Sequence, residues 1–121
     1  MPLKLVRSKT SRRVWKMSTP GIQEFRDQDY AAALPLLQRS AEGGDAEAQC
    51  LLGNIYQLGL GETAANKTQA IAWYYRAANQ GYGVATSNLA GMVWPISSEA
   101  AAALYQLARQ QGAADVPAMT A

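Results

Sequence analysis

The stretch from Ala48 to Gly81, AQCLLGNIYQLGLGETAANKTQAIAWYYRAANQG, decides the fold of this chain because its spacing recurs. A shift of 37 residues places Ala33 on Ala70, Ala41 on Ala78, Gly44 on Gly81, Ala48 on Ala85, and Leu52 on Leu89. A period of this length is typical of stacked helical hairpins, each too thin to bury its own apolar side. Alternation of period two is absent over any useful length. The sequence therefore predicts an all-α solenoid without strands.

Capping residues and glycines divide the chain into six predicted helices in antiparallel pairs. Thr19 is the predicted N-cap of a short first helix, and Asp29, Asp45 and Asn66 cap later ones. The predicted ranges are about 20–26, 30–42, 46–58, 67–80, 83–93 and 99–111. We expect a helical repeat domain over residues 19–112, between a basic, disordered arm over 1–18 and a frayed tail over 113–121.

The chain resembles the Sel-one-like repeat family, a branch of the tetratricopeptide-like helical repeat proteins. Residues that match the family's pattern are Ala48, Leu52, Gly53, Tyr56, Gly59, Gly61, Ala70, Trp73, Tyr74, Ala77, Ala78 and Gly81. The resemblance covers about residues 29–112. It implies an α-solenoid of about two and a half repeats with capping helices, and bacterial signalling, envelope or host-interaction roles. We interpret the matching residues as structural: small where helices approach, bulky between the pairs.

Charge is distributed unevenly along the 121 residues. The first 19 carry six basic and no acidic side chains, whereas the chain after Pro20 carries five basic and nine acidic ones. The arm over residues 1–16 is a candidate for contact with nucleic acid or an anionic membrane. Two alternatives stay open: an unstructured extension, or a true start at Met17 that leaves the arm out of the native protein.

Composition gives little support to catalysis. The chain has no histidine and one cysteine, so the commonest general base and the usual metal-ligand sets are absent, and we expect no cofactor or metal. Cys50 lies in an apolar pattern and is predicted to be a buried, inert thiol. Because no secretory signal or membrane-spanning stretch is evident, we expect a cytoplasmic protein, with envelope association left open.

The first helix of each predicted pair has one side that lies off the repeat pattern. Its positions are Pro35, Gln38, Arg39 and Glu42, then Ala72, Tyr75, Arg76 and Asn79, then Ala103, Gln106, Leu107 and Gln110. One hypothesis is a groove that binds an extended or helical segment of a partner protein, with Arg39 and Arg76 adjacent. The other is an ordinary solvated face. Trp94 and Leu107 are candidate contacts for self-association through the ends of the array.

Overall fold

The computed structural model describes residues 5–7 and 15–113. The elements are β1 Leu5–Arg7, β2 Trp15–Met17, α1 Ile22–Arg26, α2 Tyr30–Glu42, α3 Ala46–Leu58, α4 Lys67–Asn79, α5 Gly83–Val93 and α6 Ser98–Gln110. The predicted all-α solenoid is confirmed, since six helices stack as antiparallel pairs in chain order. We call α2, α4 and α6 the A helices, and α3 and α5 the B helices.

Four of the helices begin at a capping side chain; the sequence identifies three of these caps and leaves Ser97 or Ser98 open for the fourth. Asp29, Asp45, Asn66 and Ser97 each accept a hydrogen bond from the backbone N–H three residues on, at 2.8–3.2 Å. Each bond satisfies a donor that the first turn of a helix leaves unpaired. The prediction for α1 is wrong: Gly21 is its N-cap, because the hydroxyl of Thr19 donates to the Asp45 carboxylate instead, at 3.0 Å.

The three A helices end in equivalent turns. Gly44, Gly81 and Gly112 follow them with φ of 101°, 86° and 91°, a left-handed conformation that glycine adopts without a Cβ penalty. In each turn the next residue's N–H donates to a carbonyl five residues back, at 3.0–3.2 Å. This closure fixes the direction in which the chain leaves every A helix.

Two apolar clusters lie on either side of α3. The first joins α1, α2 and α3 and consists of Ile22, Ala33, Leu37, Ala41, Ala48, Leu52 and Ile55. The second joins α3, α4 and α5 and consists of Cys50, Ala70, Tyr74, Ala77, Ala85 and Leu89. Half-buried Tyr56 packs against both clusters. The hairpins therefore share a core that runs through α3.

Tyr74 is the largest fully buried side chain of the second cluster. Its ring lies over Gly53, where an added Cβ would come within 2.6 Å of two ring carbons. Its hydroxyl lies 2.5 and 2.7 Å from the side-chain amide oxygens of Asn54 and Gln57, and its one proton is donated to one of them at a time. Asn88 of α5 donates to the same Asn54 oxygen at 3.3 Å, so this polar group links α3, α4 and α5.

Glutamines that cap the A helices make equivalent links at the hairpin tips. Gln80 donates to buried Gln49, which donates to the carbonyl of Ala41. Thr86 lies 37 residues after Gln49, and Ala78 lies 37 residues after Ala41. Gln111 accepts a hydrogen bond from the Thr86 hydroxyl and donates one to the Ala78 carbonyl. Thr86 is shorter than Gln49, the residue at the equivalent position, and does not bond the Ala78 carbonyl. Gln111 therefore donates to that carbonyl directly, at 3.4 Å.

The residues of the matched pattern divide between core and turns. Leu52, Gly53, Ala70, Tyr74 and Ala77 are buried, Tyr56, Gly59, Trp73 and Ala78 are half-buried, and Gly61 and Gly81 are exposed in turns. Cys50 is 2% exposed, as the apolar pattern around it predicts.

The arm departs from the sequence prediction where the structure describes it. Strands β1 and β2 pair as an antiparallel ribbon with Val6 opposite Lys16, although no strand is predicted there. Valine and tryptophan, which favour strands, occur in these short segments. The remainder of the predicted arm, 1–4 and 8–14, and the tail from 114 onward lie outside the described residues. The boundaries of the three regions stay a prediction.

Candidate partner-binding face

The A-helix face is the set of twelve positions that the sequence analysis places off the repeat pattern on α2, α4 and α6. All are exposed except half-buried Gln38, whose side-chain amide lies 3.5 Å from the hydroxyl of Tyr56. The structure therefore leaves eleven of these side chains available to a partner. Pro35, Arg39 and Glu42 are exposed on α2, but no described contact joins Arg39 to Arg76.

Arg76 occupies a defined position at the junction of the first two hairpins. Trp73 of α4 packs against the first apolar cluster, so its ring bridges α4 to the α2–α3 hairpin. The guanidinium of Arg76 lies over this ring, 4.6 Å from its centroid. Such a cation–π contact stabilises an exposed arginine by about 0.5–1 kcal/mol. Tyr75, adjacent in sequence, is 58% exposed.

The end of the A-helix face on α6 forms a shallow depression. The lining residues within the described part of the chain all lie on α6: Ala102, Ala103, Gln106, Arg109 and Gln110. Sequence reasoning places Ala103, Gln106 and Gln110 on the face but misses Arg109. The missed signal is a departure from the pattern: the last unit is shortened by six residues, so Arg109 stands where earlier A helices have Ala41 and Ala78.

Charge is polarised between the two halves of the helical domain. Residues 20–66 carry two basic and seven acidic side chains, whereas residues 67–113 carry three basic and one acidic. Within residues 18–113 the ion pair is Arg26–Glu47, at 3.4 Å. In this part of the chain no carboxylate approaches Arg39, Arg76 or Arg109 within 4 Å.

The C-terminal end of the array, from the end of α5 through α6, exposes large apolar side chains. Trp94 is 47% and Leu107 is 41% exposed, and Ile96, which the sequence analysis does not single out, is 82% exposed. Among residues 18–113, no helix is long and apolar enough to cross a membrane.

We expect the free energy of unfolding to fall as the pH rises from about 9 to about 12. Burial raises the pKa of the Cys50 thiol from 9.0 to about 12, and that of the Tyr82 hydroxyl from 10.0 to about 12. Burial also raises the pKa of Tyr74. Over this range the unfolded chain releases protons that the native chain retains, so a rise in pH favours the unfolded state.

Urea unfolding followed by circular dichroism at about pH 8 and about pH 11 measures this loss. The Cys50→Ala variant is the control: without the buried thiol, its stability should depend less steeply on pH. Equal stability of the wild-type protein at both pH values would contradict the prediction.

Comparison with known protein families places three matches to the Sel1 repeat on this chain. They cover residues 20–45, 46–82 and 98–118. The first two end in or just after the glycine turns that follow α2 and α4, and the third begins with α6. The second match therefore spans α3 and α4, the B helix of one hairpin and the A helix of the next.

Similar proteins occur in bacteria and yeast. Chitin synthase regulatory factor 3 of Schizosaccharomyces pombe is 46% identical over 75 residues, which are 58% of this chain and 8% of that protein. A Sel1 repeat protein from Oxalobacter formigenes superposes with a TM-score of 0.63 and 27% identity, covering 69% of this chain and 35% of that one. The protective antigen c5321 of uropathogenic Escherichia coli, which displays an SLR fold, superposes with a TM-score of 0.66 and 26% identity, covering 78% of this chain and 24% of that one. This chain spans about a third or less of each of these proteins.

Proposed function

Because this chain belongs to the Sel1 repeat family, we propose that it is a non-enzymatic adaptor that binds a segment of a partner protein on its A-helix face. Helical repeat arrays typically present extended surfaces for partners rather than enclosed catalytic pockets. The proposal includes the cytoplasmic location that the sequence analysis expects.

The observation that carries this proposal is the exposed group on α4. Tyr75 and Arg76 are of the residue types that dominate binding energy at protein interfaces. Stacking on Trp73 restricts the rotamers of Arg76 before a partner arrives, which lowers the entropic cost of binding. An ordinary solvated arginine has no such support.

The yeast relative supports the same role. Its name describes a regulatory factor of chitin synthase, and a regulatory factor acts on another protein. We transfer only the general role of protein interaction to this chain, since the match spans a small part of that relative.

Affinity capture with the wild-type protein and an Arg39→Glu, Arg76→Glu variant tests the adaptor proposal. We expect proteins bound by the wild type to be lost, or reduced about tenfold, in the variant, because two cationic anchors become repulsive. An Arg26→Glu, Lys67→Glu variant is the matched control, since it makes the same charge change off the A-helix face. Recovery of the same proteins by wild type and the Arg39, Arg76 variant would refute binding at this face.

A second candidate function is association of the basic arm with nucleic acid or an anionic membrane. The supporting observation is the set of six basic and no acidic side chains in residues 1–19. Deleting residues 1–16 should abolish any salt-sensitive binding of this kind while leaving capture by the A-helix face unchanged. Self-association through Trp94 and Leu107 is likewise a proposal.

A further inference from the structure

The part of the A-helix face on α4 and α6 differs in charge from the hairpin before it. Arg76 belongs to it, Arg109 borders it on α6, and the other seven positions of the face on these two helices are uncharged. Neither arginine has a carboxylate within 4 Å among residues 18–113. Within residues 18–113, this surface therefore carries two cationic groups that are not paired with a carboxylate.

The guanidinium of Arg76 is positioned so that it can bind a carboxylate. Its central carbon lies over the Trp73 ring, 4.6 Å from the centroid, and the N–H donors of a guanidinium lie in its own plane. Those donors match the two oxygens of one carboxylate. Exposed Tyr75 and Asn79 flank Arg76 with a hydroxyl and an amide.

Arg109 provides the second cationic group. It lies in the depression on α6 with Gln106 and Gln110, which occupy the positions equivalent to Tyr75 and Asn79 of α4. Two amide side chains can donate hydrogen bonds to the same carboxylate or to the backbone of a bound segment. Each helix thus places one arginine beside uncharged hydrogen-bonding groups, but at different positions, because Leu107 and not Arg109 is the equivalent of Arg76.

We infer that this surface binds an acidic segment of another protein, with carboxylates on Arg76 and Arg109. The inference rests on the proposed adaptor function and names the chemistry of its partner. Charge complementarity favours a short acidic peptide over a nucleic acid. A long polyanion would meet two arginines here and then the acidic residues 20–66, which carry seven acidic and two basic side chains.

Fluorescence anisotropy of the full chain tests the inference with three labelled peptides of equal length, rich in glutamate, glutamine or lysine. The glutamate-rich peptide should bind, and salt should weaken its binding. Arg76→Gln and Arg109→Gln should each weaken it about tenfold, since each removes a charge-assisted hydrogen bond, and the double variant by about a hundredfold. Lys67→Gln is the matched control, because it removes the same charge at the opposite end of α4 and should leave the affinity unchanged.

Four results would overturn the inference. If the double variant still binds the glutamate-rich peptide, the peptide is bound by the basic arm. If Lys67→Gln weakens peptide binding as much as the arginine substitutions do, the effect reflects net charge alone. Tighter binding of a single-stranded oligonucleotide, blocked by the same two substitutions, indicates a nucleic-acid surface. Dimerisation that the double variant abolishes, without peptide binding, indicates a second copy as the occupant.

The adaptor proposal and this inference fail separately. If the glutamate-rich peptide does not bind but capture still depends on Arg39 and Arg76, only the acidic chemistry is wrong. If capture is also independent of these arginines, the adaptor proposal fails as well. Circular dichroism of each variant checks that the helical fold is retained, as expected for exposed side chains.

Discussion

Tyr74→Ala is expected to lower the free energy of unfolding by about 4 kcal/mol. The ring of Tyr74 is fully buried between α3 and α5, and its removal leaves a cavity between the two hairpins. It also removes the hydroxyl that bonds Asn54 and Gln57. Since small domains are stable by only about 5–15 kcal/mol, this one change removes a large part of the total.

Urea unfolding monitored by circular dichroism measures the effect, with two variants as controls. Tyr74→Phe keeps the ring and should cost about 1 kcal/mol, the usual value of one hydrogen bond. Tyr75→Ala truncates the adjacent, exposed tyrosine and should change stability by less than about 0.5 kcal/mol. A loss below about 1 kcal/mol for Tyr74→Ala would contradict a core shared by the hairpins.

Gly53→Ala is expected to lower the free energy of unfolding by about 2 kcal/mol. Its new Cβ would lie 2.6 Å from two carbons of the Tyr74 ring, and a fully buried ring has no free space to move into. Alanine in a helix interior is more favourable than glycine by up to about 1 kcal/mol. The expected loss of stability therefore requires that the cost of the clash exceed this gain.

Gly91→Ala is the matched control, because it makes the same substitution on the other B helix. The nearest atom to its Cβ would be the Tyr105 hydroxyl at 3.5 Å, an ordinary contact, so this variant should be as stable as the wild type or more so. A Tyr74→Leu background provides a second test, since with the ring absent Gly53→Ala should add no further loss. Equal effects of Gly53→Ala and Gly91→Ala would show that close approach of α3 and α4 does not require glycine.

Much of the fold is readable from local chemistry. Asp29, Asp45 and Asn66 are short polar residues before apolar helical patterns, and the helices begin beside them as predicted. The prediction failed where a distant group intervened. Threonine is a common N-cap residue, but the hydroxyl of Thr19 donates its hydrogen bond to the carboxylate of Asp45, 26 residues away.

Less of the candidate site is readable in the same way. The spacing of Tyr75 and Arg76 predicts that they share an exposed helical side, and both are exposed. Trp73 and Arg76 are three residues apart on α4, so their spacing allows the contact. The side-chain rotamers that form it, and the packing of Trp73 against the first apolar cluster, are not encoded in the residues of one helix alone.

The amino-acid order by itself determined that this chain forms paired helices with a repeat of 37 residues, because caps, glycine turns and apolar spacing act within one hairpin. Only the stacking of hairpin on hairpin decided that Tyr74 fills the space above Gly53 and that Trp73 packs against the first apolar cluster. These contacts join residues on different elements or fix one rotamer among several. Their energies exist only once the hairpins have packed.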